Sequence, residues 1–372
     1  MRNKRLDILR CMAVLAVMFR HTEISAFLRR VGWIGVDLFF VLSGFLISGL
    51  LFSEYKKRRT ISLKRFYIRR GLKIYPAFYA FLFLTGAMSY VVFRTHSTLT
   101  YYLHDIFFIM NYERGVWGHT WSLAVEEHFY IFLPIFLMLA IRYSSNRRDP
   151  FRILPWTTLA VGFLCLIFRA ISVDFGTPNF DMAYIASHNR MDALFFGVLL
   201  GYFYHFRPSM LEGLMRPRIN CVAIGALSTF LLSFAYFFPL EQPSYLFSTI
   251  GYTFIYLGFG GVLLLGLYVH GILPRGIARI AERAGSAFAF VGVYSYSIYL
   301  WHVPAGAWFP GLMRRAVHFP TSKIGNFAAY FVSSLVIGVV MSRLIEYPIL
   351  HLRDRLFPEP QVVAVSPEVP EG

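Results

Sequence analysis

Ten apolar stretches, each about 20 residues long, set the strongest constraint on how this chain of 372 residues can fold. A membrane-spanning α-helix needs about 20 predominantly apolar residues, and the stretches are too long and too many to be barrel strands. The sequence therefore predicts an all-α polytopic membrane protein, with one integral membrane domain over residues 1–350. The predicted spans lie near 7–26, 33–52, 75–94, 119–141, 151–172, 187–206, 221–239, 247–269, 287–305 and 326–346.

The composition excludes an ordinary soluble enzyme. Charged residues make up only 15% of the chain and hydrophobic residues 57%, whereas about a quarter of a typical soluble domain is charged. The net charge of +16 would indicate nucleic acid only if basic residues clustered on a soluble face. Most of them lie in short links between apolar stretches, so we expect membrane lipid as a partner and no nucleic acid. Cys11, Cys165 and Cys221 lie inside apolar stretches, and no metal or disulfide framework is expected.

Lysine and arginine in the links predict the orientation. The link 53–74 contains nine of them, and others lie in the N-terminal stretch and in alternate links. Because cytoplasmic links carry an excess of Lys and Arg, both termini and the 53–74 link are predicted to be cytoplasmic. Arg29 and Arg30, on the opposite side, are a local exception. Residues 351–372 should form a cytoplasmic tail, disordered beyond Pro358, where the sequence is rich in Pro, Val and Glu.

Four titratable side chains are predicted to lie at a similar depth in the membrane. From a helical rise of about 1.5 Å per residue, His21 and His302 lie about 22 Å above the cytoplasmic ends of their spans. By the same measure Asp37 lies about 6 Å, and Glu126 about 10 Å, below the outer ends of theirs. Titratable groups inside a membrane are costly and by default mark function. We therefore expect one polar cavity in the outer half of the membrane.

Arg10 and His21 are predicted to share a helix face. Eleven residues separate them, which is almost three whole turns, so the first helix presents both side chains to one groove. They are about 16 Å apart along the axis. The alternative is that Arg10 reaches to lipid phosphate and that His21 is an ordinary core histidine. The match in depth with Asp37 and Glu126 favours a function for His21.

Seven different sequence motifs are distributed along nearly the whole chain. They are Arg10 through His21, GVDLFFVLSGFLIS at 35–48, KRFYIRRGLKIYPAFY at 64–79, HTWSLAVEEHFYIFLP at 119–134, RMDALFFG at 190–197, YSYSIYLWHVP at 294–304 and IEYP at 345–348. In order and spacing they resemble the membrane-bound acyltransferase family 3, bacterial proteins that O-acylate, usually O-acetylate, surface carbohydrates. His128 is a mild departure, since most relatives would have Gln there.

The resemblance implies an integral membrane O-acyltransferase in the inner or plasma membrane of a bacterium. Its donor would be cytoplasmic acetyl-CoA or another acyl-CoA. Its acceptor would be a hydroxyl of a carbohydrate, either free or lipid-linked. Some relatives carry a fused soluble esterase-like domain, and this chain resembles the stand-alone kind. Any step that such a domain performs would then belong to a partner protein.

Basic residues before the third span offer a place for the donor. Arg69, Arg70 and Lys73 lie on the predicted cytoplasmic side, with Arg10 on the neighbouring first span. Arginine recognises phosphate with paired donors, so these side chains are expected to bind the nucleotide end of coenzyme A. Adjacent helical residues point in different directions, so one of Arg69 and Arg70 could face the cavity and the other lipid. The alternative is a plain cluster of positive-inside charges.

His21 is the expected catalytic residue, in one of two roles. It either takes the proton from the attacking sugar hydroxyl or forms a short-lived acyl intermediate. A carboxylate would orient the imidazole, and Glu126 is favoured over Asp37. Trp121 and Tyr130, on the same helix as Glu126, could form a sugar-binding wall, although interfacial anchoring is an equal alternative for Trp121.

Two further residues are candidate contacts for the acceptor. His302 could line the cavity together with Tyr299, although aromatic packing is the alternative for this stretch. Asp192 could pair with Arg190 or contact the acceptor. Ser43–Gly44 is expected to let two helices approach closely.

Two other function classes remain open at this stage. A transporter or flippase for a lipid-linked sugar or an acyl group would explain the charges inside the membrane equally well. The basic segment 53–74 discriminates, because a coenzyme A site predicts it and transport alone does not. A sensor or scaffold has the least support.

Overall fold

The computed structural model describes residues 3–95, 97–174, 180–238, 244–268, 275–317 and 322–358. Every regular element in these ranges is helical. The α-helices are α1 (Lys4–Arg20), α2 (Ala26–Val31), α3 (Gly35–Arg58), α4 (Leu63–Val91), α5 (Leu99–Ile106), α6 (Trp121–Tyr143), α7 (Leu154–Asp174), α8 (Phe180–Ile185), α9 (Ser187–Phe206), α10 (Pro208–Met215), α11 (Arg218–Phe237), α12 (Tyr252–Tyr268), α13 (Arg275–Val293), α14 (Ser295–Val317), α15 (Lys323–Met341) and α16 (Tyr347–Leu356). The predicted all-α class is confirmed.

Seven helical stretches in the described residues are long and apolar enough to cross a membrane, so the chain is a multi-pass membrane protein. The prediction of ten spans includes three regions outside this set, which correspond to α1, α9 and the junction of α13 with α14. The seven stretches are Ala26–Arg58, Leu63–Val91, Gly118–Tyr143, Leu154–Val173, Arg218–Phe237, Phe247–Tyr268 and Lys323–Leu356.

Helix α1 sets the frame for describing the site. It begins after Asn3, whose side chain accepts a hydrogen bond from the Arg5 amide, and we call this end of the bundle basal. It ends at Arg20, at the distal end of the bundle, where His21 is its C-cap residue. The predicted span 7–26 is therefore too long at its C-terminus, because Ser25 caps a new helix, α2, by accepting from the Leu28 amide.

The predicted span 287–305 is not one continuous helix, since it crosses a helix boundary. Helix α13 ends at Val293, Tyr294 forms a turn, and α14 starts at Ser295. Gly292 lies against the backbone of Asp7 in α1, where an added Cβ would come within 1.7 Å of the Asp7 carbonyl oxygen. This contact docks the end of α13 on α1.

Helix α3 lies at the centre of the bundle, between α1 and α9. An added Cβ on Gly44 would meet the Leu194 carbonyl oxygen at 2.0 Å, and one on Gly197 would meet the Val41 carbonyl oxygen at 2.2 Å. The expected close approach at Ser43–Gly44 is thus confirmed for Gly44. Gly35 makes a similar approach to the Ala13 carbonyl oxygen of α1, at 2.4 Å.

The end of the described chain returns to the basal end of α4. A π-helical segment, Ser342–Glu346, leads directly into α16. Arg69 of α4 lies 3.2 Å from the Asp354 carboxylate, and Arg65 donates to the Pro358 carbonyl oxygen. Helix α16 thus forms the first part of the predicted tail 351–372, and its proposed disordered part beyond Pro358 lies outside the described residues.

Candidate functional site

A basal chamber with a cavity volume of about 110 Å³ opens between α3, α4, α6 and α14. Its charged and hydroxyl-bearing lining residues are Arg10, Ser43, Arg70, Lys73, Ser122, Glu126, Glu127, Tyr130, Ser295, Tyr296, Tyr299 and Glu346. Below it lies a wider vestibule, whose lining includes Arg65, Arg69 and Arg353. Arg10, Arg70 and Lys73 line both spaces, so the vestibule leads directly into the chamber.

The four residues expected to bind the donor therefore come together. Arg10 from α1 and Arg69, Arg70 and Lys73 from α4 all line the vestibule, although 59 positions separate Arg10 from Arg69 in the chain. Both Arg69 and Arg70 reach this space, so the idea that one of the two faces lipid is not what the structure shows. A vestibule wide enough to take two adjacent helical positions explains the difference.

Arg70 lies at the passage from the vestibule to the chamber. Its guanidinium carbon lies 3.9 Å from the centre of the Tyr130 ring, a cation–π contact. Its Nε is buried and has no hydrogen-bond partner among the described residues. A buried guanidinium with unused donors inside a cavity can accept an anionic ligand without breaking existing bonds.

Glu126 is held inside the basal chamber. Its carboxylate accepts hydrogen bonds from the Ser43 hydroxyl at 2.5 Å and from the Tyr130 hydroxyl at 2.8 Å. None of the hydrogen bonds between described residues joins Glu126 to His21, so its contacts give no support to its expected role in orienting that imidazole. The neighbouring Glu127 accepts from the Tyr75 hydroxyl at 3.1 Å.

Three histidines form an imidazole cluster nearer the distal end. The ring centre of His302 lies 5.1 Å from that of His21 and 5.1 Å from that of His119. The Nδ1 of His302 donates to the Tyr299 carbonyl oxygen at 2.6 Å, and the Nε2 of His119 donates to the Leu300 carbonyl oxygen at 3.1 Å. The remaining nitrogen of each buried ring has no partner among the described residues. Each therefore presents an unused lone pair.

Tyr299 separates the imidazole cluster from the basal chamber. Its hydroxyl donates to the His119 carbonyl oxygen at 2.7 Å, so the Ser122 hydroxyl at 2.6 Å is the donor in the second bond. Tyr299 lines the basal chamber, whereas His302, three residues further along α14, lines a distal pocket. The single cavity expected from depth is thus two spaces with a tyrosine partition between them.

The distal pocket has a cavity volume of about 390 Å³ and is lined by His21 and His302 among others. Helix α15 supplies one wall, and Tyr330 on this wall donates to the Met18 carbonyl oxygen of α1 at 3.1 Å. His21 is an exposed residue, in contrast to the fully buried His302. A molecule that enters the distal pocket can therefore meet the His21 ring directly.

Asp37 and Asp192 lie outside both spaces and pair differently from the expectation. Asp37 accepts a hydrogen bond from Arg190 at 2.5 Å, and Asp192 pairs with Arg169. All four side chains are buried. The proposed pair of Asp192 with Arg190 is therefore wrong, and neither carboxylate contacts the imidazole cluster. These pairs tie α9 to α3 and to α7.

Trp121 and Tyr130, the two residues of the expected sugar-binding wall, do not line the same space. Trp121 is buried, with its ring centre 4.7 Å from that of Tyr184 and 6.0 Å from that of Phe40. It lines neither the basal chamber nor the distal pocket. Tyr130 does line the basal chamber, but on the side of Arg70.

Sequence reasoning gave no role to His119 and Ser122, and it favoured packing for Tyr299. His119 lies in the 3₁₀ turn Gly118–Thr120 at the distal start of α6, and Ser122 follows in its first turn. The available signal was a titratable side chain at the first position of the predicted span 119–141, two residues before Trp121 of the Trp-Ser-Leu motif.

Among the described residues no group of three or more His, Cys, Asp or Glu side chains is placed to hold a metal ion. The ring centre of His302 lies 5.1 Å from those of His21 and His119, and His302 and His119 direct nitrogens to separate carbonyl oxygens.

Known proteins resemble this chain over most of its length. It is 28% identical over 324 residues to the peptidoglycan O-acetyltransferase OatA of Listeria monocytogenes. The aligned region covers 80% of this chain and 48% of that protein. It is 27% identical over 325 residues to the O-acetyltransferase OatA of Staphylococcus aureus, covering 80% and 50%. The chain thus spans about half the length of these curated relatives. No solved structure has a significant match to this chain.

The family comparison reaches further along the chain. A family described as an acyltransferase domain matches residues 3–343. This range contains the basal chamber apart from Glu346, the imidazole cluster and the whole lining of the distal pocket. With nearly the entire described structure inside the match, the chain belongs to this family of membrane acyltransferase domains.

Proposed function

We propose that the chain is an integral membrane O-acyltransferase of the inner or plasma membrane. It transfers an acyl group, in the first instance acetyl, from cytoplasmic acyl-CoA to a hydroxyl of an exported or cell-surface carbohydrate. The observation that carries the proposal is the arrangement along α1 and α14. A vestibule rich in basic residues leads into the basal chamber at one end of this path, and an imidazole cluster lies at the other, with Tyr299 between them. The names of the relatives support acetyl as the group and a glycan as the acceptor.

The proposed orientation places the basal end in the cytoplasm. The excess of Lys and Arg at that end supports it, as in the segment 53–74. Ten membrane crossings then result if α1, α9 and the α13–α14 pair are added to the seven apolar stretches. The 17 residues of α1 rise about 25 Å, which is close to the thickness of the hydrocarbon core. Both termini are on the cytoplasmic side in this arrangement.

The donor would bind with its phosphates in the vestibule. Arg69, Arg70 and Lys73 offer cationic donors there, and arginine pairs with phosphate oxygens through parallel hydrogen bonds. The pantetheine arm would continue past Tyr130 into the basal chamber, toward Tyr299. The rise from Arg10 to His21 is about 16 Å along the axis. The partition at Tyr299 must open for the thioester to reach His21.

The acceptor hydroxyl would enter through the distal pocket. In direct transfer, His21 takes the hydroxyl proton while the oxygen attacks the thioester carbonyl carbon, the C–S bond breaks, and the imidazolium returns the proton to the thiolate. In the covalent alternative, the His21 nitrogen attacks the thioester carbonyl carbon and the C–S bond breaks, which releases the coenzyme A thiolate. The sugar hydroxyl then attacks the acyl carbon, the bond from that carbon to the His21 nitrogen breaks, and the hydroxyl proton passes through a neighbouring base to the thiolate. His302 lies in contact with His21 and offers an unused lone pair for such a proton.

The test uses purified protein in lipid nanodiscs with acetyl-CoA labelled in the acetyl group. We expect label to pass to an added glycan, or to water when no glycan is present. His21→Ala should reduce either reaction by at least 100-fold, in line with loss of a general acid–base. His104→Ala is the matched control, because this half-buried histidine contacts the Arg114 carbonyl oxygen and lines neither the basal chamber nor the distal pocket. Normal turnover by His21→Ala would contradict the proposal.

The same experiment separates the enzyme from a transporter. A transporter or flippase for a lipid-linked sugar or an acyl group would bind and move its cargo without breaking the thioester. Two chambers at opposite ends with a partition between them are compatible with transport, but a carrier does not need three imidazoles in contact. Thioester cleavage that depends on His21 supports the enzyme, and movement of intact substrate without cleavage supports the transporter.

A further inference from the structure

Helix α15 presents one stripe of side chains to the distal pocket. Lys323, Asn326, Phe327 and Tyr330 all line it, at the spacing i, i+3, i+4 and i+7 that defines a single helical face. Lys323 is the first residue of α15, and the Ser322 hydroxyl caps the helix by accepting from the Gly325 amide at 3.0 Å. Lys323 therefore lies in the first turn of α15 with an exposed side chain, at the edge of the pocket that contains His21.

We propose that this pocket binds an anionic sugar, with Lys323 as the residue that contacts the carboxylate or phosphate of the acceptor. The inference deepens the proposed function and rests on it. Lys323 forms no ion pair with another described residue, whereas the acidic residue of the pocket lining, Glu23, lies 3.9 Å from Arg29. The charge available to a ligand in the described part of the pocket is therefore positive.

The residues around the mouth of the distal pocket also carry positive charge. Arg20 precedes His21 directly, and Arg314 and Arg315 lie in the exposed last turn of α14, four and five positions after the pocket-lining Pro310. Lysine and arginine are normally depleted on the non-cytoplasmic side of a membrane protein. Basic residues kept there despite that rule indicate a ligand of opposite charge. A positive mouth also steers anionic polymers toward the pocket.

The relative position of α1 and α15 gives the distance along the helix axis between Lys323 and His21, which the ligand would have to span. Tyr330 meets α1 at Met18, three residues before His21. Lys323 lies seven residues, or about 10 Å, distal to Tyr330, and His21 lies about 4.5 Å distal to Met18. The axial offset between Lys323 and His21 is thus roughly 6 Å. This is about the span of one sugar ring, so the charged group would lie on the acylated sugar or on its neighbour.

The test uses the full chain in nanodiscs, labelled acetyl-CoA and the total envelope glycans extracted from the cells that encode the protein. After reaction the glycans are separated by anion exchange. We expect the label to elute with the anionic fraction. Either reduction of the carboxyl groups or removal of phosphate should abolish labelling. The treatment that does so identifies whether the pocket recognises a carboxylate or a phosphate. Label in the neutral fraction would overturn the inference.

Variants connect the result to Lys323. Lys323→Gln should raise the KM for the anionic glycan about tenfold, since a charge-assisted contact is lost, while the donor KM and the rate of thioester hydrolysis stay unchanged. Lys323→Arg should retain most of the affinity. Arg114→Gln, the same loss of charge at an exposed distal position outside the pocket, is the control.

The outcomes separate this inference from the proposed function. An unchanged KM for Lys323→Gln on the anionic glycan would remove Lys323 from recognition. Equal labelling of native and chemically neutralised glycans would overturn the anionic acceptor while leaving the acyltransferase intact. Failure to cleave the thioester at all would instead overturn the proposed function, and the inference with it.

Discussion

The buried carboxylate of Asp37 shows how a charge inside the membrane can serve the fold rather than the chemistry. It accepts a hydrogen bond from Arg190 at 2.5 Å, and the guanidinium of Arg190 also lies 4.5 Å from the centre of the Tyr252 ring. We expect Asp37→Ala to destabilise the protein by about 3–5 kcal/mol, because it leaves a buried cation without its counter-charge. Thermal unfolding in detergent measures the loss.

A double variant decides whether Asp37 also takes part in catalysis. Asp37→Leu combined with Arg190→Met removes both charges and leaves side chains of similar volume, so most of the lost stability should return. Acyl transfer should return with it. A double variant that unfolds at the normal temperature but remains inactive would show that Asp37 acts in the reaction, as the sequence suggested.

Arg70 is the residue on which donor binding should depend most. It lines both the vestibule and the chamber, and its guanidinium lies over the Tyr130 ring. Arg70→Ala should raise the KM for acetyl-CoA by about tenfold or more, as expected for the loss of a charge-assisted contact to phosphate. Steady-state kinetics at saturating acceptor measure the change.

The control for Arg70 is Arg58→Ala, at an exposed position outside the residues that line the vestibule. It removes a basic residue from the same end of the bundle and should leave the donor KM unchanged. Equal effects of the two variants would indicate that general surface charge attracts the donor. An unchanged KM in Arg70→Ala would contradict the phosphate assignment.

Sequence reasoning at the residue scale predicted that the expected donor residues lie close together, which the structure shows, but it misassigned the ion pairs. Arg69, Arg70 and Lys73 lie within one short helical segment, so placing one of them also placed the others. The partners of Asp37 and Asp192 depend on how α9 is rotated against α3 and α7, which no local pattern encodes. One rule was available, because residues two apart on a helix, such as Arg190 and Asp192, do not face each other.

At the scale of the element, the crossing of α3 and α9 is set by two glycines. Gly44→Ala should lower the yield of folded protein and its unfolding temperature, since the new Cβ would lie 2.0 Å from the Leu194 carbonyl oxygen and backbone cannot yield easily. Fluorescence-detected size exclusion after heating measures both effects. The pairs Arg190–Asp37 and Gly44–Gly197 join the same helices, so a shift here would also strain the buried charges.

Gly213→Ala is the matched control for this crossing. Gly213 lies in α10, and an added Cβ there meets nothing within 4 Å. Alanine is favoured over glycine in a helix by up to about 1 kcal/mol, so stability should be unchanged or slightly higher. A Gly44→Ala variant as stable as Gly213→Ala would mean that α3 and α9 do not pack this closely.

The predicted ends of a span agree with those of a helix where the chain has strong local signals at both ends. The predicted span 187–206 has the bounds of α9, Ser187–Phe206, with Pro208 shortly after its end, although α9 is not among the seven stretches found long and apolar enough to cross a membrane. The prediction of one helix over 287–305 missed the boundary at Tyr294, because the apolar run continues through this residue and hydropathy cannot detect a turn inside such a run. The depth argument failed for a related reason. It placed Glu126 and His302 at one level but could not show that Tyr299 separates them.

At the scale of the whole molecule, the two ends of the bundle carry positive charge for different reasons. The basal end has the many basic residues that the positive-inside rule predicts, and some of them line the vestibule. The distal end has a smaller basic group around the pocket with His21. An acyl donor and an anionic acceptor would then approach from opposite sides, and the fold needs only a short passage beside Tyr299 to join them.

This arrangement requires that the basal end face the cytoplasm, which labelling of single cysteines can test. In a chain whose three native cysteines are replaced by alanine, Glu23→Cys introduces an exposed thiol at the distal end and Thr60→Cys one at the basal end. A maleimide that cannot cross membranes should label position 23 in intact cells. Position 60 should be labelled only after the cells are permeabilised.

Labelling after permeabilisation is the control for access, and both positions should then react to a similar extent. Each side chain is exposed, so burial within the protein cannot account for protection in intact cells. The reverse pattern would place the vestibule with Arg69 and Arg70 outside the cytoplasm, where coenzyme A is absent. Because donor binding, the direction of transfer and the acceptor pocket all depend on orientation, that result would contradict the transfer scheme even with every contact in the fold intact.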